Sequence, residues 1–142
     1  MTLEQTNQAL IAIIDDDELD HRIYKFSISQ SCPQYIPLHF KSGAEALEYF
    51  SEHADDSAKL PDIVLLDIRM PGLNGWQYLE EFSALKNSLS KKNIGHYACT
   101  CSLNTEDINY QSKDLYGYYI KPILPVDIKE IVKNHNVACN AN

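Results

Sequence analysis

Five times along the chain, an apolar run of strand length is followed by a segment of helical period. Such alternation predicts βα units that build a mostly parallel sheet with helices on both faces. The first strand is Ala9 to Ile14, a continuous apolar run of the kind buried on both sides, and it stops at Asp15. From Glu18 to about Gln30, Leu19, Ile23 and Phe26 recur at helical spacing and mark the first helix. A second strand, Ile36 to Lys41, follows Pro33, and Ser42-Gly-Ala-Glu45 reads as a capping box that opens a helix through Ala46, Leu47 and Phe50. Ala54 to Pro61 is a polar loop. Ile63-Val-Leu-Leu66 is the clearest buried strand, and it too ends at an aspartate, Asp67.

Met70-Pro-Gly-Leu-Asn-Gly75 is a turn-rich loop, after which Trp76, Leu79, Phe82 and Leu85 mark a third helix as core positions. Lys86 to Asn93 is a polar connector. The fourth strand, His96 to Thr100, is less apolar than the others, which predicts a looser element, and Asn104-Thr-Glu-Asp107 starts a short fourth helix. Tyr118 to Ile120 forms the fifth strand and leads into Lys121-Pro122. Pro125 begins the last helix, with Val126, Ile128, Ile131 and Val132 as its apolar positions, and Val137 to Asn142 reads as frayed.

The chain has 142 residues, 44% of them hydrophobic and 23% charged, which suits one globular domain. Twelve Lys and Arg against twenty Asp and Glu give a net charge of -8, a surface that repels a phosphate backbone and argues against direct nucleic-acid binding. The apolar runs are far shorter than the ~20 residues of a membrane span. Cys32, Cys99, Cys101 and Cys139 form no CxxC pair and read as reduced thiols, although Cys99 and Cys101 would share a face on a strand. No two histidines stand three or four apart.

In open α/β sheets, ligands bind beyond the carboxyl ends of the strands. Those positions carry Asp15, Asp16 and Asp17, then Asp67, Thr100 and Lys121. With the common strand order 2-1-3-4-5, these ends converge on one crevice. Carboxylates gathered so closely call for a hard cation, and Mg²⁺ suits a site of one or two carboxylates, waters and a phosphate oxygen. A lysine opposite them suits a phosphoryl oxygen, and Asp67 can serve as the nucleophile that forms an acyl phosphate.

Four motifs lie in order at the strand ends: Ile13-Ile14-Asp15-Asp16; Leu65-Leu66-Asp67-Ile68-Arg69-Met70-Pro71 with Gly75 beyond it; Thr100; and Tyr118-Tyr119-Ile120-Lys121-Pro122. Over about residues 8 to 134 the chain resembles the receiver domain of bacterial two-component response regulators. The resemblance implies a (βα)5 doubly wound, flavodoxin-like α/β fold of order 2-1-3-4-5, with residues 1 to 7 and 135 to 142 as short flexible termini. It implies that Asp67 takes a phosphoryl group from a sensor histidine kinase or a histidine phosphotransfer protein. It implies Mg²⁺ held by Asp16, Asp67, the main-chain carbonyl of Arg69 and, through water, Asp15. Thr100 and Lys121 would each bond a phosphoryl oxygen, Tyr118 would be the aromatic that follows Thr100, and Lys121-Pro122 would be cis.

A slip in the register of the polar fourth strand would leave Ser102 in place of Thr100, and Cys101 stands where most receivers have alanine. Arg69 and Ser102 occupy the variable positions that tune attack by water. Few residues follow the last helix, so the chain is expected to be a single-domain regulator without an output domain. It would be cytoplasmic, a monomer or weak dimer, and would dock on a downstream protein through the fourth helix, fifth strand and fifth helix. Three competing readings are an aspartate-nucleophile phosphohydrolase, a phosphorylation-independent pseudo-receiver and a flavin binder. The first lacks its D-x-D motif, since Arg69 stands where the second carboxylate belongs. The pseudo-receiver would have lost at least one site residue, and Asp15 to Asp17 would repel a flavin phosphate.

Overall fold

The computed structural model describes residues 9–91 and 93–140, with side chains described through residue 136. Five strands alternate with five helices: β1 (Ala9–Ile14), α1 (Glu18–Ser31), β2 (Tyr35–Phe40), α2 (Gly43–Glu52), β3 (Ile63–Asp67), α3 (Gly75–Leu85), β4 (Gly95–Thr100), α4 (Thr105–Asn109), β5 (Leu115–Ile120) and α5 (Pro125–Asn140). The strands pair in parallel in the order β2-β1-β3-β4-β5, the doubly wound, flavodoxin-like α/β arrangement the alternation predicts. Pro37 lies in β2, an edge strand, where a missing donor is tolerated.

Successive residues of a strand face opposite sides, so each central strand feeds two cores. Ile11, Ile13, Ile63 and Leu65 pack with Tyr24 and Ile28 of α1 and Ile128 and Ile131 of α5. Ala12, Ile14, Val64 and Leu66 pack with Phe50 of α2 and Leu79 and Phe82 of α3. The alternation leaves the strand ends free of helix cover at their carboxyl side, which is where Asp15 and Asp67 emerge.

Several expectations are corrected. The apolar residues whose spacing marks α1 do not form its inward face: Leu19 is 61% and Phe26 60% exposed, while His21, Tyr24, Ser27 and Ile28 are buried. The two buried polar residues are satisfied by backbone carbonyls, Ser27 Oγ donating to Ile123 O at 2.7 Å and His21 Nε2 to Asp15 O at 2.7 Å. Val126 also faces outward, whereas Ile128, Ile131 and Val132 are buried as expected. Only half of the capping box forms at α2. Ser42 Oγ accepts from Glu45 N, but Glu45 reaches back to the N–H of Lys41, one residue earlier than the motif requires.

The polar β4 is not loose, because all six of its residues are buried. His96 Nδ1 donates to Ile94 O, so Nε2 accepts from the Tyr78 hydroxyl at 2.9 Å, and burial pushes the imidazole pKa down to about 4. β5 starts earlier than expected, at Leu115. The backbone of α5 stays helical to Asn140, and His135 is buried. Residues 1–8 and 141–142, which include the expected N-terminal end and the last two residues of the expected C-terminal one, lie outside the described residues. Cys99 is buried in β4 and Cys101 is exposed past its end, so the two share no face; the Cys139 side chain is outside the described set. Among the described residues, no helix is long and apolar enough to cross a membrane.

Candidate functional site

β1 ends by turning the chain at Asp15, whose N–H donates to Phe40 O of β2 at 3.1 Å. The Asp15 carboxylate accepts from the N–H of Asp17 at 2.9 Å, and Asp17 in turn caps α1 by accepting from Leu19 N. The three adjacent aspartates therefore divide the work: Asp15 is buried, Asp17 caps, and Asp16 is exposed at the mouth of the crevice. β3 delivers Asp67 alongside them, and its carboxylate accepts from Arg69 N at 3.2 Å. Carboxylate oxygens of Asp15, Asp16 and Asp67 lie within 4.8 Å of one another.

Gly75 holds the far end of the loop by donating its N–H to Ile68 O at 3.0 Å. A Cβ there would stand 2.8 Å from Ile68 Cα and 2.9 Å from Asp67 O, so only glycine lets α3 start this close to the aspartate. From the other side, β5 and the cis Lys121-Pro122 peptide bring in Lys121. Its ammonium bonds Asp15 and Asp20, both at 2.7 Å, and stands 3.5 Å from Asp67. Asp20, in the first turn of α1, was not among the expected site residues; its place within reach of Lys121 depends on a contact spanning 101 residues.

The electrostatics follow from this packing. Burial, then the neighbouring Asp15, raise the Asp67 pKa to about 6, against the opposing pull of Lys121. Burial also raises Asp15 above the ordinary carboxylate value, although the bond from Lys121 opposes it. Burial disfavours the charge on Lys121, but its bonds to Asp15 and Asp20 outweigh that and hold its pKa above the usual lysine value. One buried cation thus serves three carboxylates. A hard divalent cation coordinated by oxygen would complete the balance, and the donor set here fits one.

Thr100 lies at the end of β4, paired with Ile120, so the register does not slip to Ser102. Its hydroxyl donates to Ser102 O at 3.1 Å, and Ser102 itself is exposed in the following loop. Tyr118 is away from the acidic cluster; its hydroxyl donates to Tyr110 O at 2.9 Å and its ring meets Trp76 edge-on. Arg69 sends its guanidinium away from Asp67 to Asp107 at the start of α4, which it grips with both terminal nitrogens. Trp76 is more than the core residue expected: it packs half-buried against the core of Leu79 and Phe82, donates to Asp107 Oδ1 at 3.2 Å and stacks on Tyr110. A further contact no sequence spacing announced joins His21 and His39, whose Nδ1 atoms are 2.7 Å apart.

A family model described as the response regulator receiver domain matches residues 11–133. The chain belongs to this family. Among characterised relatives, the receiver is 32% identical over 94 residues to a probable methanogenesis regulatory protein, FilR2, of Methanothrix harundinacea, covering 66% of this chain and 59% of that one. It is 27% identical over 127 residues to hybrid signal transduction histidine kinase L of Dictyostelium discoideum, covering 88% of this chain but 7% of the kinase. The chain therefore spans about three fifths of the first relative and a small part of the second. Its fold is that of a two-component response regulator of Cytophaga hutchinsonii, with a TM-score of 0.77 at 21% identity over 90% of this chain and 96% of that one. Vibrio cholerae chemotaxis protein CheY4 superposes with a TM-score of 0.71 at 15% identity, over 89% and 97% of the two chains.

Proposed function

We propose that this receiver is a phosphoacceptor of a two-component relay, modified on Asp67 by a sensor histidine kinase or a histidine phosphotransfer protein. The observation that carries this reading is the meeting of Asp15, Asp16 and Asp67 with Lys121 at the strand ends. In the transfer, an oxygen of Asp67 bonds the phosphorus while the bond from phosphorus to the donor imidazole breaks, its electron pair returning to the ring. Asp15, Asp16, Asp67 and the main-chain carbonyl of Arg69 would hold Mg²⁺, which disperses negative charge on the transferring group when bound. Lys121 is placed to turn from Asp20 toward a phosphoryl oxygen, and Thr100 to give up Ser102 O for another. The receiver turns over no external substrate; hydrolysis of its own acyl phosphate resets it.

The downstream protein would dock on α4, β5 and α5. Ile108, Tyr116, Ile120 and Val126 expose apolar surface on these elements, and a groove of about 600 Å³ runs beside Tyr110 and Tyr118. Tyr118, at the edge of that groove, is the side chain through which Thr100 would be felt there.

The test is intact mass after incubation with acetyl phosphate, with and without Mg²⁺, for the wild type and Asp67→Asn. A phosphoryl adduct that needs both Mg²⁺ and Asp67 is the expected result. No adduct, together with no binding of beryllofluoride, would overturn it in favour of a phosphorylation-independent binding module.

A further inference from the structure

Arg69 and Asp107 form a contact that the chemistry at Asp67 does not require. Asp107 is 1% exposed, yet it carries a full charge balanced by one guanidinium and by donors from Trp76 and the Asn104 N–H. Burial disfavours that charge, and these bonds outweigh it, so the carboxylate sits below its ordinary pKa. α4 has five residues, too few to hold its own shape in water. Its place depends on Asp107, which caps it from within and ties it to the β3–α3 loop. The same loop residue, Arg69, donates its backbone N–H to Asp67.

We infer that Arg69 is a second output switch, separate from Thr100: phosphorylation of Asp67 draws its guanidinium off Asp107 and frees α4. The inference rests on the phosphoacceptor reading above. An acyl phosphate carries about −2 where the carboxylate carried −1, so the group next to Arg69 gains a charge while Asp107 gains none. A planar fork fits a phosphoryl group as well as it fits a carboxylate, and the doubly charged partner wins. Asp107 is then left buried without its cation, which is costly enough that the carboxylate must move to water. The start of α4 moves with it.

The movement reaches the docking face through contacts already in place. Trp76 loses its acceptor on Asp107, and its indole is stacked on Tyr110 with ring centres 4.2 Å apart. Tyr110 bonds Trp76 O through its hydroxyl and receives the Tyr118 hydroxyl on its own carbonyl. Arg69, Asp107, Trp76, Tyr110 and Tyr118 thus link the phosphoacceptor loop to the groove on α4 and β5.

Trp76 is the chain's one tryptophan, so its fluorescence reports this relay directly. Quenching by acrylamide and emission maximum would be read for the wild type, Asp107→Asn and Arg69→Gln, each before and after acetyl phosphate with Mg²⁺, with adduct formation followed by mass. Circular dichroism checks that the variants fold. The wild type is expected to show Trp76 at least twofold more quenchable once phosphorylated. Both variants should start near that value and change little on phosphorylation. An adduct on the wild type with unchanged Trp76 quenching overturns the relay and leaves the phosphoacceptor reading intact. Folded variants that start at the unphosphorylated wild-type value overturn it as well, and failure of the wild type to form an adduct removes both.

Discussion

Replacing Asp67 by asparagine should stabilise the metal-free receiver. The carboxylate is nearly buried beside Asp15, and the lysine that faces it is engaged by two other acids at shorter range. Its pKa rises from 3.8 to about 6 for that reason, led by burial and then by Asp15. A raised carboxylate pKa means that the folded state holds the proton more tightly than the unfolded chain. Stability is therefore fully present below pH 3.8 and is lost as pH rises through about 6. At ~1.4 kcal/mol per pKa unit the ceiling is about 3 kcal/mol, and water at the crevice mouth cuts it to roughly 1–2 kcal/mol. Urea unfolding in EDTA at pH 7.5 should show Asp67→Asn ahead by that margin. At pH 4 the margin should close, because protonated aspartate and asparagine are both neutral. Added Mg²⁺ should reverse it, since the wild type alone keeps a full set of carboxylates to bind the ion. An asparagine variant no more stable at pH 7.5, or equally favoured at pH 4, would refute the reasoning.

Three further outcomes are expected. His96, neutral in the fold with its pKa at about 4, lets the unfolded chain bind an extra proton below 6.5. Its contribution is complete above 6.5 and falls with acid, so His96→Gln should lose about 2 kcal/mol less than the wild type between pH 7 and pH 5 in urea titrations. Gly75→Ala forces backbone apart at Ile68 and Asp67 and should cost roughly 2–4 kcal/mol in chemical unfolding. Its Mg²⁺ affinity by calorimetry should fall along with its stability. Arg69→Ala should still accept a phosphoryl group from acetyl phosphate but change the lifetime of phospho-Asp67, and an unchanged decay rate in a chase would count against a role for Arg69 at the pocket.

The strands that build the crevice were legible because β1 and β3 are continuous apolar runs that end abruptly at Asp15 and Asp67. Parallel pairing then brings those ends together whatever the loops do. Thr100 and Lys121 were read only from their places at the ends of β4 and β5, which are not continuous apolar runs. What pattern alone missed depends on polar groups satisfied over long separations. His21 and Ser27 look like surface residues of α1 until the carbonyls of Asp15 and Ile123 are brought beneath them. The apolar count then assigns the wrong face to the helix, and Leu19 and Phe26 end outside. Arg69 and Asp107 lie 38 residues apart, and nothing in either neighbourhood announces the other. β4 reads as weak because His96 is counted as polar, although Tyr78 pairs with it inside the core.

The division of labour between Asp15 and Asp16 has a consequence for ion choice. Asp15 is held from every side: its N–H by Phe40 O, its carbonyl by His21, and its carboxylate by Asp17 N and Lys121. Asp16 is exposed and can turn on its own rotamers. A cation seated here would meet one fixed wall and one adjustable wall. Such a cage follows the radius of its guest, so fit alone would discriminate weakly between Mg²⁺ and the slightly larger Mn²⁺. Discrimination against Ca²⁺ would come from the protein's share of the ligands, because Mg²⁺ keeps several waters beside one or two carboxylates whereas Ca²⁺ prefers six to eight oxygens, of which this cluster offers few. Manganese should therefore replace magnesium at this crevice with little loss, whereas calcium should not.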